Sequence, residues 1–263
     1  MEHIESLIKK NLRIDGRHLD EFRDVKFLCR EPGSVDLHIG DSRAFGETLI
    51  EAVTPIGTRD SGIFHVNVNF LQMANPDFLD AKGPRDLIEI GRVVERALLS
   101  TRAIDIDGLV LVRGKLVWSI TVCVNIINDS GNLMDLVAMT AISSLLTALK
   151  REVEICGTDV KILTVEERKP KPLSIHHIPI TISFGITDEG IPLMDPSDRE
   201  ETICKSRLTI AINKEGEVCA VQKSGTPIAM TVIQNCCDIA LDKAQSVIAF
   251  ITEQVDKSRE QFK

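Results

Sequence analysis

The chain has 263 residues, enough for one large domain or two small ones with a full apolar core, and its net charge of −8 excludes a generally basic nucleic-acid coat. Any contact with RNA or DNA must come from a local basic patch. Seven cysteines, an odd number with no C-x-x-C spacing, argue against a disulfide framework and against a zinc site, and point to a reducing compartment.

In chain order, residues 2–11 read as a short amphipathic helix with Ile4, Leu7 and Ile8 on one face. Its charges (Glu2, Glu5, Lys9, Lys10) interrupt any apolar run, so no secretory signal is expected. Arg13-Ile14-Asp15-Gly16-Arg17 follows; the Asp-Gly pair marks a turn, and the arginines suit either an anion or neighbouring acids. Val25–Cys29, Ser34–Ile39, Arg43–Val53 and Ile63–Leu71 read as strands. Gly46, inside the third, signals a bulge or a close backbone approach. Residues 75–84 form a surface loop. Asp86 to Ser100 is an amphipathic helix with Leu87, Ile90, Val94, Ala97 and Leu98 inward. Its outer residues Glu89, Arg92, Glu95 and Arg96 are spaced for ordinary i,i+3 and i,i+4 pairing.

The central stretch runs from Gly108 to Leu149. Leu109–Val112 and Leu116–Ile127 pair across Arg113-Gly114-Lys115, with Trp118 in the core. The outer face of Val117–Ile127 lacks charge, a feature normally paired or covered, so an obligate assembly is expected. Asn128-Asp129-Ser130-Gly131-Asn132 carries turn and N-cap chemistry. From Leu133 to Leu149 the only charge is Asp135, so this helix must be buried on all sides. At about 17 residues, with Ser143 and Ser144 inside, it is too short and too polar to cross a membrane.

Val153 to Val165 turns at Gly157-Thr158-Asp159, and Glu166 to Pro172 is a charged, proline-rich connector between halves. Leu173 to Phe184 reads as a strand interrupted by His176-His177 and Pro179. Neighbours in a strand point to opposite faces, which makes the two histidines structural rather than a metal pair. Leu208–Asn213 and Val218–Lys223 form a hairpin across Lys214-Glu215-Gly216. Thr226 as N-cap and Pro227 as first residue start a long helix. Its stripe is Met230, Ile233, Cys237, Leu241, Ala244, Ile248, Ile251 and Val255, out to about residue 259. Strands, a Gly-containing loop and a helix thus occur twice, which implies an α+β fold with mixed sheets packed on buried helices.

The order of motifs resembles the ribonuclease PH family of phosphorolytic exoribonucleases. Arg13-Ile14-Asp15-Gly16-Arg17 precedes a strand, Gly46-x-Thr48 lies in an early strand, Glu89-Ile90-x-Arg92 opens a helix, and Asp129-x-Gly131 precedes the buried helix. Two further stretches are similar to one ring-subunit type of the eukaryotic RNA exosome, the 75-kilodalton polymyositis/scleroderma autoantigen type. The first is Val165-Glu166-Glu167-Arg168-x-Pro170-x-Pro172-Leu173-Ser174-Ile175-His176-His177-Ile178-Pro179-Ile180. The second is Met194-Asp195-Pro196 followed by Glu200-Glu201, also similar to the archaeal relative. The resemblance spans about residues 10–255. It implies a ribonuclease PH-like fold as a single domain over residues 1–263, with pseudo-halves of about 12–150 and 151–263. It also implies six such domains in a ring around an RNA channel.

Phosphorolysis needs fixed positive charge for the incoming phosphate and carboxylates for a Mg²⁺ ion. Against the family, three charges are missing. Gly131-Asn132-Leu133 stands where active relatives carry a Gly-Thr-Arg loop, Ser206 where they carry an aspartate, and Leu87-Ile88 where an arginine pair grips RNA. Without that aspartate, Asp195, Glu200 and Glu201 are expected to be a solvated acidic loop with capping roles.

The expectation is a non-catalytic structural and RNA-binding ring subunit that supports 3′-to-5′ RNA processing and degradation. It would have no catalytic residue, metal or cofactor of its own, and Arg85 and Arg92 are the candidate RNA contacts. The implied partners are other ribonuclease PH-like ring subunits, exosome cap subunits, an associated hydrolytic nuclease and RNA, with no membrane. The implied compartments are nucleus, nucleolus and cytoplasm. Two alternatives stay open: an active phosphate-dependent 3′-to-5′ exoribonuclease, and an unrelated α+β enzyme with its site at the 128–133 loop.

Overall fold

The structure is a computed structural model that describes residues 2–55, 61–71, 74, 83–156, 159–164 and 166–262. The expected loop at 75–82, the turn residues Gly157 and Thr158, and Val165 lie outside the described residues. After helix α1 (Glu2–Ile8), the first sheet is built from β1 (Val25–Glu31), β2 (Ser34–Ile39), β3 (Ser42–Val53) and β4 (Ile63–Phe70). Helix α2 (Gly83–Ser100) intervenes, three residues longer at its start than its apolar period implied. Then β5 (Val110–Val112) and β6 (Leu116–Asn128) complete the sheet. The order is β1-β2-β3-β6-β4, with β5 also on β6, and only β4 and β6 run parallel.

Alternation sets the two faces of this sheet. Ile120, Val122, Val124 and Ile126 of β6 are fully buried, while Ser119, Thr121, Cys123 and Asn125 point the other way. β6 pairs with β3 on one side and β4 on the other, so Val117–Ile127 is an interior strand. The outer face lacks charge, as expected, but it carries Ser119, Thr121, Cys123 and Asn125 and not exposed apolar residues.

Helix α3 (Leu133–Thr147) lies between two sheets. Every residue in it except Leu146 is buried, Asp135 included. It packs on β2, β3 and β6 on one side and on the second sheet on the other, which is why it is apolar all round. It ends before Leu149, which pairs as β7 (Leu149–Lys150) with β10 (Lys171–Pro172), while β8 (Val153–Cys156) and β9 (Asp159–Ile162) form a hairpin. Gly46 is the close approach. A Cβ there would come within 2.7 Å of Thr140 Cγ2 of α3, and the bulge lies instead between Arg43 and Ala44.

The second sheet is β12-β11-β13-β14, formed by β11 (Ile180–Ile186), β12 (Pro192–Met194), β13 (Ser206–Ile212) and β14 (Val218–Gly225). A one-turn helix, α4 (Asp198–Glu201), links β12 to β13, and α5 (Met230–Gln261) closes the fold. β11 is buried throughout because α3 covers one face and α5 the other.

Three local expectations fail. The strand expected from Leu173 begins only at Ile180, since Pro179 has no N–H for the ladder and restricts the residue before it. His176 and His177 therefore sit in an extended segment, where Ile175 makes one isolated bridge to Ile104 and His176 N–H bonds Ala103 O at 2.9 Å. The helix start at Thr226-Pro227 is also wrong. Thr226 N–H bonds Lys205 O, and its hydroxyl meets Ser206 Oγ at 2.6 Å, so the sheet consumes the capping group and α5 begins at Met230. The buried stripe of α5 is rotated. Cys236 and Ala240 face the sheet in place of Cys237 and Leu241, because these small residues let the helix lie close, and Met230 is 65% exposed.

Candidate functional site

The loop between β6 and α3 is shaped by its own carboxylate and by one glycine. Gly131 N–H donates to Asp129 Oδ1 at 3.0 Å, a turn that Asp forms readily. Gly131 has φ +91, and a Cβ there would lie 2.4 Å from Asp198 N, so the position requires glycine. Asn132, the residue before α3, is left-handed at φ +56. Its Nδ2 donates to Asp135 Oδ2 at 2.9 Å and to Asp195 Oδ1 at 2.7 Å, while its backbone N–H donates to Glu201 Oε1 at 2.8 Å.

Three arginines converge on the loop after β12. Arg13 donates to both oxygens of Glu200, at 2.9 and 2.5 Å, and to the carbonyls of Met194 and Asp195 at 2.8 and 2.9 Å. Arg17 bonds Asp15 at 2.6 Å and Asp195 Oδ2 at 3.0 Å. Arg23 bonds both oxygens of Asp195, at 2.8 and 2.7 Å, and reaches the carbonyls of Ser130 and Gly131 at 3.0 and 3.1 Å. The arginines of the Arg13–Arg17 motif are thus committed to the chain's own acids.

The expectation of a solvated acidic loop is overturned for two of its residues: Asp195 is 0% and Glu200 1% exposed. The capping part stands, since Glu200 accepts from both Ser197 N–H and Ser197 Oγ at 2.9 Å. Burial by itself raises the pKa of both carboxyls. The arginine hydrogen bonds and charges outweigh it and hold them below the usual range. Asp135 differs. Burial dominates there, against hydrogen bonds from Asn132 and Ser183, and pushes it up to about 6.

A cleft of about 330 Å³ opens at the start of α3. Leu87 of α2, Leu133 of α3, and Ser206 of β13 all line it, so three positions where the resemblance implies lost charge come together in space. Ile88 lies in the neighbouring groove instead. The cleft's cation Arg207 is paired with Glu201 at 2.9 Å, and Lys205 with Asp188. Ser206 Oγ donates to Thr226 O at 2.9 Å. Magnesium demands free carboxylate oxygens. Here Glu201 is spent on a backbone N–H and a guanidinium, and Ser206 offers a neutral hydroxyl already bonded. Among the described residues, no group of three or more His, Cys, Asp or Glu is placed to hold a metal. The residues present do not fit the ion.

Arg92 is exposed on α2 and lines a groove of about 560 Å³ with Ile88, Glu89, Val93, Arg96 and Gln222. Among the described residues, none pairs with it. Helical i,i+3 pairing does not account for its neighbours either. Arg96 bonds Gln222 Oε1 at 3.0 Å and Gln222 bonds Glu89 at 2.7 Å, so α2 is tied across to β14. Arg85 falls in the first turn of the same helix, and its side chain lies outside the described residues. Sequence reasoning missed Arg23 and the role of Glu201. Arg23 stands in no motif whose spacing carries chemistry, and Glu201 was visible in the Glu200-Glu201 motif only as part of an acidic loop; their partners are 172 and 69 residues away.

The 3′ exoribonuclease family matches in two parts, domain 1 over residues 21–150 and domain 2 over residues 177–243. Exosome complex component RRP45A of Arabidopsis thaliana is 34% identical over 261 residues, which is 96% of this chain and 85% of that protein. Exosome complex component RRP45 of Bos taurus is 34% identical over 257 residues, 96% of this chain but 58% of the relative, so the chain spans less than two thirds of that protein's length. Among solved structures, the Archaeoglobus fulgidus exosome with RNA bound to the active site superposes with a TM-score of 0.79 at 27% identity. That match covers 100% of this chain and 97% of the other.

Proposed function

The chain belongs to the 3′ exoribonuclease family, and from that premise we propose that it is a non-catalytic ring subunit of an RNA exosome. In this reading it joins other ribonuclease PH-like subunits around an RNA channel, with cap subunits and a hydrolytic nuclease attached, and supports 3′-to-5′ RNA processing and degradation. Relatives that are exosome components, and the archaeal exosome whose structure carries RNA, support the assembly. One apolar cluster running from β2 through α3 to α5 supports a single domain with two pseudo-halves. Nucleus and cytoplasm are the proposed compartments, with the nucleolus among them.

One observation carries the non-catalytic part. Leu87, Leu133 and Ser206 meet in one cleft, and its arginine, Arg207, is neutralised by Glu201. A displacement on a phosphodiester there lacks an arginine free for the phosphate. Of the carboxylates lining the cleft, Glu89 is bonded to Gln222 and Glu201 to Asn132 and Arg207, with no group of three placed for a metal among the described residues. Arg85 and Arg92 on α2 are the proposed RNA contacts. The test is to incubate the purified chain with oligo-RNA, inorganic phosphate and Mg²⁺. No nucleoside diphosphate should form; phosphate-dependent and Mg²⁺-dependent release of it restores the enzyme reading.

A further inference from the structure

The first residues of α3 would attract an anion. Its 15 residues align their peptide dipoles, and the N–H groups at its start have no partner within the helix. The chain meets part of this demand itself, at Asn132 N–H. Gly131 N–H is taken by Asp129 from within the same loop. Asn132 N–H is taken by Glu201, which arrives from α4, 69 residues away. The other carboxylate oxygen of Glu201 forms an ion pair with Arg207 Nη2 at 2.9 Å, and the Glu201 side chain is only 9% exposed. One carboxylate is therefore held between a helix-start N–H and a guanidinium on the wall of the 330 Å³ cleft. This pair of donors is also the kind that takes one edge of a tetrahedral oxyanion.

We propose that Glu201 is a resident anion: it fills an oxyanion position formed by Asn132 N–H and the Arg207 guanidinium, and thereby closes the cleft to inorganic phosphate. The inference rests on the non-catalytic reading and deepens it. Missing charges make the cleft poor at chemistry, and Glu201 makes it closed to the co-substrate. An intramolecular carboxylate already held by the fold needs no further ordering, so dissolved phosphate competes at a disadvantage. The loop does not depend on Glu201 for its shape. The Asn132 side chain is fixed by Asp135 and Asp195, and Gly131 by Asp129, so shortening Glu201 vacates the Asn132 N–H and the Arg207 guanidinium among its contacts.

The test compares the full-length chain with Glu201→Ala, titrating inorganic phosphate at constant ionic strength and following the thermal midpoint and the phosphorus resonance of the ion. The wild-type chain should not respond. Glu201→Ala should bind phosphate at least about tenfold more tightly than wild type, the scale of one charge-assisted contact, and Arg207→Ala added to it should remove the gain. A folded Glu201→Ala chain that ignores phosphate overturns the proposal, as does a wild-type chain that binds it equally well. If the variant does not fold, the wild-type Asn132 amide resonance decides: it should stay fixed as phosphate is added, and movement overturns the proposal. Phosphate binding by the wild type without product from RNA defeats the resident anion alone. Nucleoside diphosphate release defeats the non-catalytic reading on which it stands.

Discussion

Asn132 and Asp195 both occupy left-handed backbone, at φ +56 and +48, and are joined by a 2.7 Å hydrogen bond from Asn132 Nδ2 to Asp195 Oδ1. One residue precedes α3 and the other follows β12, so the bond ties the central helix to the second sheet. Asn and Asp tolerate this region better than most residues, yet a non-glycine residue there still costs on the order of 1–3 kcal/mol. Arg23 offsets that cost by gripping Asp195 through both carboxylate oxygens and the loop through the Ser130 and Gly131 carbonyls.

Replacing Asp195 by Ala should therefore be severe. It leaves Arg17 and Arg23 facing each other without their counter-charge and frees a strained loop. Breaking a buried pair from one side costs about 3–5 kcal/mol. Urea unfolding followed by circular dichroism measures this, and a loss below about 1 kcal/mol with an unchanged slope means that Asp195 is not the keystone of the clasp.

Stability should respond to acid in two opposite stages. The folded pKa of Asp135 is raised to about 6, above its unfolded value of about 3.9, so the folded state binds the proton more tightly. Its contribution is full below the unfolded pKa and is lost as pH rises through about 6. Asp195 and Glu200 have lowered pKa values, so their contribution is present above the unfolded carboxylate range and lost as pH falls through the lower folded values. Unfolding free energy should rise as pH drops from 7 toward 5, by on the order of 3 kcal/mol or less, and fall in stronger acid. Asp135→Asn should flatten the first stage, because Ser183 Oγ can turn to accept from the new amide and donate to Thr209. Denaturant titrations of both chains at several pH values check it; an unchanged rise in Asp135→Asn assigns the stage to another group.

RNA entry should depend on two arginines of α2. Arg85 and Arg92 are seven residues apart, so they lie on one side of the helix about 10 Å apart along its axis. With the whole chain at −8, the attraction must be local. Replacing both by Glu within the assembled complex should weaken RNA protection across sequences and reduce the steepness of its salt dependence by one to two phosphate contacts. Unchanged protection removes them from the RNA path.

No single substitution should create phosphorolysis. Removing one preorganised charge from such a site typically costs about 10²–10³ in rate. Leu133→Arg alone still lacks a metal-binding carboxylate, and Ser206→Asp alone still lacks the anion contact. Both variants should release no nucleoside diphosphate from oligo-RNA under conditions where an active relative does. Activity in either one shows that the remaining cleft residues already suffice.

The sequence by itself determined the elements whose apolar period admits one reading. A mostly apolar run opened by Gly131-Asn132, with Asp135 its only charge, has to be a helix buried on every side, and α3 is that helix. Leu116–Ile127 has to be a central strand because it is rich in β-branched residues, and the structure extends it by one residue to Asn128. The family resemblance implied the charge losses at Leu87, Leu133 and Ser206, since a residue's chemistry needs no geometry to be read. Tertiary structure decided the rest. Whether Asp195 and Glu200 are solvated or sealed depends on Arg23 and Arg13, 172 and 187 residues distant, and no local pattern reports such a pairing. Thr226 has good capping chemistry, but β13 lies beside it and takes its hydrogen bonds first. Only the folded chain puts Glu201 against Asn132 and Arg207, because a carboxylate's partner is set by where the backbone carries it.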